Sequence, residues 1–294
     1  MKKRFFWVVL LLFFSSGLDG EALPGQIPEL TGTVDTRIAS PMKVPFGPGE
    51  RLEYDVKLGF LGKRGQGFMS VDGLETVRGR TTYHVTMAYE GGLLFAKVDD
   101  HFQSWIDVAG LMTLRSIEDT KQINRKRYKH FEFYPERMVW ERADEENSGP
   151  LASDEPLDQI SFFYFARTLP LEVGDEYVLN RYYKESGNPV ILRVLRRDTV
   201  KVPAGTFPTV VVQPIIKTSG LFGEGGEAEL YFSDDERRLL VLMKSQVPLI
   251  GALSLHLKNI QEGTPLTPVR ETARPEAPRD GGRPLLSHRP PRER

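Results

Sequence analysis

From Glu50 onward the chain alternates. Leu52, Tyr54, Val56, Leu58 and Phe60 are apolar, and Arg51, Glu53, Asp55, Lys57 and Gly59 lie between them. A period of two places one set on a core and the other toward water, as in a half-buried strand. Phe68 to Val77 and Tyr83 to Tyr89 continue the pattern, with Gly62-Lys63-Arg64-Gly65 and Arg78-Gly79-Arg80 as turns. Glu90 to Phe95 breaks the alternation and reads as a loop with an apolar tip. Lys97 to Ile106, Leu111 to Lys121, Arg127 to Tyr134 and Arg137 to Arg142 then read as strands, and Ala143 to Ser153 as an acidic loop. A second series runs over Glu176 to Lys184, Val190 to Val202, Thr209 to Thr218, Ala228 to Phe232, Leu239 to Ser245 and Ala252 to Ile260. Its junctions carry turn-forming residues: Ser186-Gly187-Asn188-Pro189, Pro203-Ala204-Gly205 and Ser233-Asp234-Asp235.

Between the two series lies a stretch of different character. Leu157, Ile160, Phe162, Phe163, Tyr164 and Phe165 are apolar almost all round a helix, which predicts a buried one. Asp154 can cap it, Pro156 is tolerated in its first turn, and Pro170 stops it. The expected architecture is mainly β: a large curved antiparallel sheet or incomplete barrel of about a dozen strands. One buried helix, over about residues 154–169, would sit between its two runs of strands.

The ends differ from this middle. Lys2, Lys3 and Arg4 precede the continuous apolar run Phe5 to Phe14, and the small residues Ser15, Ser16, Gly17, Gly20 and Ala22 follow. The run is about half of the ~20 residues that a membrane-spanning helix needs, so residues 1–22 read as a secretory signal peptide. Cleavage after Gly17 or Ala22 is expected, and no cysteine stands at the junction to carry a lipid anchor. Residues 23–47 hold Pro24, Pro28, Pro41 and Pro45 and read as an extended lead-in. A single β-rich domain over 48–262 follows. Residues 263–294 hold seven prolines, seven arginines and no aromatic residue, which predicts a disordered basic tail.

Four stretches resemble a known family. They are Pro48-Gly49-Glu50-Arg51-Leu52-Glu53-Tyr54-Asp55-Val56, Phe102-Gln103-Ser104-Trp105-Ile106-Asp107, Asp158 to Arg167 with Val173-Gly174-Asp175, and Val202-Pro203-Ala204-Gly205-Thr206-Phe207 followed by Tyr231 to Arg237. In order and spacing, over about residues 45–261, they are similar to the bacterial exported "domain of unknown function 3108" family. The resemblance implies an exported, mostly β protein. It supplies no activity and no catalytic residues. Arg238-Leu239-Leu240 departs from it, since the family tends to have a proline there.

Composition narrows the chemistry. The 294 residues carry a net charge of −1 and no cysteine. Near-neutral charge gives no pull toward nucleic acid. Without cysteine there is no disulfide, thiolate nucleophile or thiolate metal site. His84, His101, His130, His256 and His288 have no metal-ligand spacing, and no G-x-S-x-G or H-E-x-x-H occurs. Asp99 and His101 share a strand face and read as a solvated pair. Gly65-Gln66-Gly67 and Gly223-Glu224-Gly225-Gly226 lead into no helix and read as hairpin turns.

No catalytic residue, metal or cofactor is expected, and the chain reads as a non-enzymatic binding or carrier module for an apolar or envelope ligand. Phe162, Phe165 and Phe95 are the candidate ligand-lining residues. Arg125, Arg127 and Lys129 share one strand face and are candidates for anion contact. Expected partners are a lipid, a glycan or another envelope protein, and no membrane span remains after cleavage. Two rivals stand beside this reading: a hydrolase of envelope glycans, and a scaffold that binds through the basic tail. The carrier predicts an apolar concavity near Phe162 to Phe165. The hydrolase predicts a cleft with converging acidic or histidine side chains.

Overall fold

The structure, a computed structural model, describes residues 44–93, 96–122, 125–215, 228–247 and 251–266. The signal peptide, the tail beyond Leu266 and Phe95 lie outside the described residues.

Eight strands form a first meander: β1 (Arg51–Leu58), β2 (Lys63–Val77), β3 (Arg80–Leu93), β4 (Ala96–Asp107), β5 (Thr113–Gln122), β6 (Arg125–Tyr134), β7 (Val139–Arg142) and β8 (Ser148–Pro150). Six form a second: β9 (Glu176–Leu179), β10 (Val190–Val202), β11 (Gly205–Ile215), β12 (Ala228–Ser233), β13 (Leu240–Val247) and β14 (Gly251–Gln261). Antiparallel pairing of β1 with β14 fuses the two into one 14-stranded sheet, in the order β8-β7-β6-β5-β4-β3-β2-β1-β14-β13-β12-β11-β10-β9. Of the expected curved antiparallel sheet or incomplete barrel, the chain forms an open antiparallel sheet whose edges, β8 and β9, are consecutive in the chain.

The segment that joins those edges fills the gap between them. Ala152 N–H donates to Tyr183 O (3.1 Å) and Leu157 N–H to Arg181 O (2.6 Å), on the β9 side. Leu151 N–H donates to Met138 O (2.9 Å), and Pro156 O accepts from Thr113 N–H (2.7 Å), on the other. Tyr183 sits among Phe131, Phe133 and Trp140 beneath this seam, with ring centroids 5.3–6.5 Å apart.

The same segment carries helix α1 (Gln159–Ala166). It is shorter than the expected 154–169, and its cap is Asp158, not Asp154. The Asp158 carboxylate accepts from the Ile160 and Ser161 N–H groups, both at 2.8 Å, and the Ser161 hydroxyl accepts from Asp158 N–H (2.9 Å). This reciprocal pairing satisfies orphan donors at both positions. Leu157 is held in an isolated bridge with Tyr182, so the helix cannot begin earlier. Every residue from Ile160 to Ala166 is buried. They join one core with the inner residues of β1 to β4 and of β9 to β14, so the sheet must wrap around the helix.

Arg167 locks the helix end to both meanders. Its guanidinium bonds both Glu50 oxygens (2.6 and 2.8 Å) and Arg237 O (3.0 Å), with Arg167 2% exposed and Glu50 4%. A buried pair of this kind needs bidentate geometry and further hydrogen bonds to offset desolvation, and it has both.

Several boundaries differ from the sequence reading. β3 runs through Glu90-Gly91-Gly92 to Leu93 instead of looping there. The reason is steric. Gly65 faces Gly91 across the ladder, and the Tyr89 ring lies over both: a Cβ on Gly65 would meet Tyr89 Cε2 at 2.8 Å, and one on Gly91 its hydroxyl at 2.5 Å. The expected turn at Gly62 to Gly65 contracts to a single 3-10 turn, Gly59–Leu61, because β2 already starts at Lys63. The short β8 lies inside the expected acidic loop. The folded unit also begins before residue 48 and ends after 262. Phe46, 1% exposed, packs edge-on against Tyr83 and Tyr164, and Thr264 N–H donates to Pro48 O (3.0 Å).

Candidate functional site

A cleft of about 250 Å³ opens on the outer face of the sheet, across β1, β2, β3, β4 and β14. Its geometry follows from register. Glu53 lies opposite Phe68, Phe68 opposite Ala88, and Ala88 opposite His101, so these four form one row across four strands. Ala88 is the short side chain in that row, and a methyl between a phenyl ring and an imidazole leaves a depression. Gln66 and Glu90 face each other in the next row. A bulge in β14 opposite Glu53 and Tyr54 adds Lys258 to the rim.

The lining combines apolar surface from Phe68, Ala88 and Tyr89 with polar groups of both charges. Arg51 stacks its guanidinium 3.6 Å from the Phe68 ring centroid and donates to Glu53 (3.2 Å). Asn259 donates its amide to the other Glu53 oxygen (2.8 Å). These bonds, the Asn259 one foremost, hold the Glu53 carboxyl below its ordinary range, so it stays ionised. His101 pairs with Asp99 at 3.1 Å and is exposed. Beneath, burial and then Asp100 push the Tyr89 phenol up, so it stays a neutral donor.

Glu53 and His101 stand three strand spacings apart, about 14 Å between Cα atoms, and Glu90 lies one row from His101 on the adjacent strand. Donors and acceptors are spread over the cleft rather than converging on one point. Among the described residues no group of three His, Asp or Glu could hold a metal ion.

The residues singled out from the sequence lie elsewhere. Phe162 and Phe165 are 7% and 3% exposed and belong to the main core, where Phe165 packs under the Arg181 guanidinium (4.5 Å). They fill the interior rather than line a concavity, because the sheet wraps over the helix faces. Arg125, Arg127 and Lys129 do share a face. It is the core-facing one, continued by Phe131 and Phe133, so they pass from exposed Arg125 through half-buried Arg127 to buried Lys129. Lys129 pairs with Glu118 at 3.3 Å rather than with an outside anion. Alternation placed Asp99 and His101 on one face as a solvated pair, and of the two His101 lines the cleft. Arg51, Glu53 and Lys258 were missed. The outward polar positions of β1 and β14 were visible in the sequence, but not that the two strands are neighbours.

Comparison with known proteins adds a family. The family model described as "Protein of unknown function (DUF3108)" matches residues 53–258. No curated protein matches the chain. Among solved structures, the chain is similar to a β-barrel-like protein of domain of unknown function DUF1849 from Brucella abortus. The TM-score is 0.47 at 10% identity, over 74% of this chain and 98% of that one. It is also similar to the hypothetical protein CT021 from Chlamydia trachomatis, with a TM-score of 0.35 at 11% identity, over 76% of this chain and 93% of that one. Among the described residues, no helix is long and apolar enough to cross a membrane.

Proposed function

We propose that this chain, which belongs to the DUF3108 family, is an exported, non-enzymatic binding module of the cell envelope that takes a small polar ligand, a glycan unit, in the outer cleft. The observation that carries the reading is the depression at Ala88. Guanidinium, amide, carboxylate and imidazole groups bound it beside the apolar surface of Phe68, Ala88 and Tyr89, as a sugar ring with one apolar face and a hydroxyl rim requires. Hydroxyl-rich ligands pair with such a mixed set of donors and acceptors, whereas an acyl chain would leave them unsatisfied. The volume falls below the ~300–1,000 Å³ of sites for drug-sized ligands, which suits one sugar ring or a short segment. Export rests on the charged, apolar and small-residue order of positions 1–22.

Titration of the labelled mature protein with amino-sugar oligosaccharides tests the site. Backbone amides of Gln66, Phe68, Ala88 and His101 should shift together, and Ala88→Leu, which fills the depression, should remove the response. Shifts that survive Ala88→Leu, or none with any glycan, would sink the reading. Native mass spectrometry that found a co-purified lipid would return the ligand to the helix and the lipid-carrier alternative. Cell fractionation checks export: the mature chain should start near Leu18 or Leu23.

A further inference from the structure

A second feature of the outer face lies beside the cleft and does not depend on it. Lys57 of β1 is opposite Ser254 of β14, and Ser254 is opposite Lys244 of β13. On the other side Lys57 faces Lys63 of β2. Three lysines and Ser254 therefore occupy one row, which ends on Glu229 of β12 opposite Lys244. The face is the outward one, since Leu253, Leu255 and Leu257 take the core positions of β14.

Like charges on neighbouring ladder positions repel and are destabilising unless something neutralises them. The nearby carboxylates are already engaged. Asp55 pairs with Lys63 at 2.7 Å. Glu229 holds Arg196 through both oxygens, at 2.7 and 3.1 Å, and accepts the Tyr231 hydroxyl proton. Lys244 donates to that Tyr231 oxygen at 3.1 Å, a neutral partner. Lys57 has no ion pair among the described residues. Between the two lysines the Ser254 hydroxyl lies 2.9 Å from His256 Nε2.

We propose that Lys57 and Lys244 form an anion seat, taking a tetrahedral oxyanion such as a phosphate or sulfate group against the Ser254 hydroxyl. Adjacent strands set the two lysine Cα atoms about 10 Å apart. Two flexible ammonium stems can close on one oxyanion from that distance, each through a charge-assisted bond of about 2.8 Å. The neighbouring imidazole reports on occupancy. Burial first, then Lys57 and Lys244, push His256 down to about 4, with Asp55 opposing. An anion between the lysines cancels part of their field, so occupancy must ease protonation of His256.

The test uses the mature full-length protein and inorganic sulfate, with chloride at matched ionic strength as the control. The His256 ring is titrated by NMR. Sulfate should move its midpoint upward and chloride should not. The double variant Lys57→Gln/Lys244→Gln should already titrate higher and should bind sulfate at least about tenfold more weakly, since two charge-assisted bonds are lost. Lys57→Arg/Lys244→Arg keeps the charges and should keep binding, which guards against a folding artefact. Ala88→Leu should leave sulfate binding unchanged, which separates this seat from the glycan cleft. An unmoved His256 midpoint in the wild type, or equal sulfate affinity in the Gln variant, would overturn the proposal. Vesicle sedimentation then distinguishes the sources of the oxyanion. Lysine-dependent binding to phosphatidylglycerol but not phosphatidylcholine vesicles assigns the seat to a lipid headgroup. Sulfate binding with no sedimentation assigns it to a free or glycan-borne oxyanion.

Discussion

The two meanders differ in what they bury beside their apolar residues. In the second, Val210, Val211 and Val212 are all 0% exposed, and Leu230, Tyr231 and Phe232 on β12 are nearly so. Consecutive burial means that both faces of these strands are covered, the Tyr231 ring on the outer face by Arg196 and Lys244, and most of the buried area is apolar. In the first, Asp100, Ser104, Ser116, Glu118 and Lys129 are buried among apolar neighbours. Glu118 lies between Phe102 and Lys129 in the ladder. Asp100 accepts the Lys121 N–H at 3.2 Å. Asp158 adds a fourth buried charge: desolvation raises its carboxyl pKa, against the pull of the helix N–H groups and the adjacent Ser104 hydroxyl. Area tolerates sliding between strands. Matched charges do not, because a slip of one residue sends every side chain to the opposite face. The first meander thus gains a defined register from groups that contribute little net stability.

Arg167, which ties the helix to both meanders, should give the largest effect. Arg167→Ala strands the Glu50 carboxylate in the core and should cost about 3–5 kcal/mol in chemical denaturation. Glu50→Leu/Arg167→Met should recover most of that loss, because the cost lies in the orphaned charge. A recovery of nothing would mean that the pair contributes through more than its charge.

A smaller change probes the two interiors directly. Val211→Thr brings a hydroxyl into the apolar meander and should cost about 1–3 kcal/mol. Ser116→Ala, which removes one from the polar meander, should cost less than about 1 kcal/mol. Equal costs from thermal melts would erase the distinction. Next comes the cap. Asp158→Ala should cost about 0.5–2 kcal/mol, and Asp158→Asn less, since an amide oxygen still accepts from Ile160 and Ser161 N–H. Asp154→Ala should be silent by the same measurement.

A separate effect is one of pH. The folded His256 imidazole titrates near 4, below its ordinary value of 6.5. The unfolded chain therefore takes up this proton first, and stability declines as pH falls from about 6.5 toward 4. His256→Asn should flatten that part of the stability profile, and an unchanged slope would place the loss on other groups.

Much of this fold was legible because alternation is a local property. Leu52, Tyr54, Val56 and Leu58 announce a strand whatever lies beside it, and the apolar run at Phe162 to Ala166 with Ile160 before it announces a buried helix. Even so, the sequence reading placed the cap at Asp154, whereas the Leu157–Tyr182 bridge holds the chain extended as far as Asp158, which caps instead. The face shared by Arg125, Arg127 and Lys129 was legible too. Its direction was not, because the same alternation fits a strand turned either way.

What the sequence determined by itself was the class of fold, the existence of the helix and the division into two runs of strands, all set by side-chain period within a few residues. Only the tertiary structure decided that β1 lies against β14. That pairing brings Arg51 to Lys258, and Lys57 to Ser254 and Lys244. The physical reason is that backbone hydrogen bonds are the same for every residue pair. Which strands meet is chosen by the packing of the whole core, and residues some two hundred positions apart become neighbours through contacts that neither one encodes.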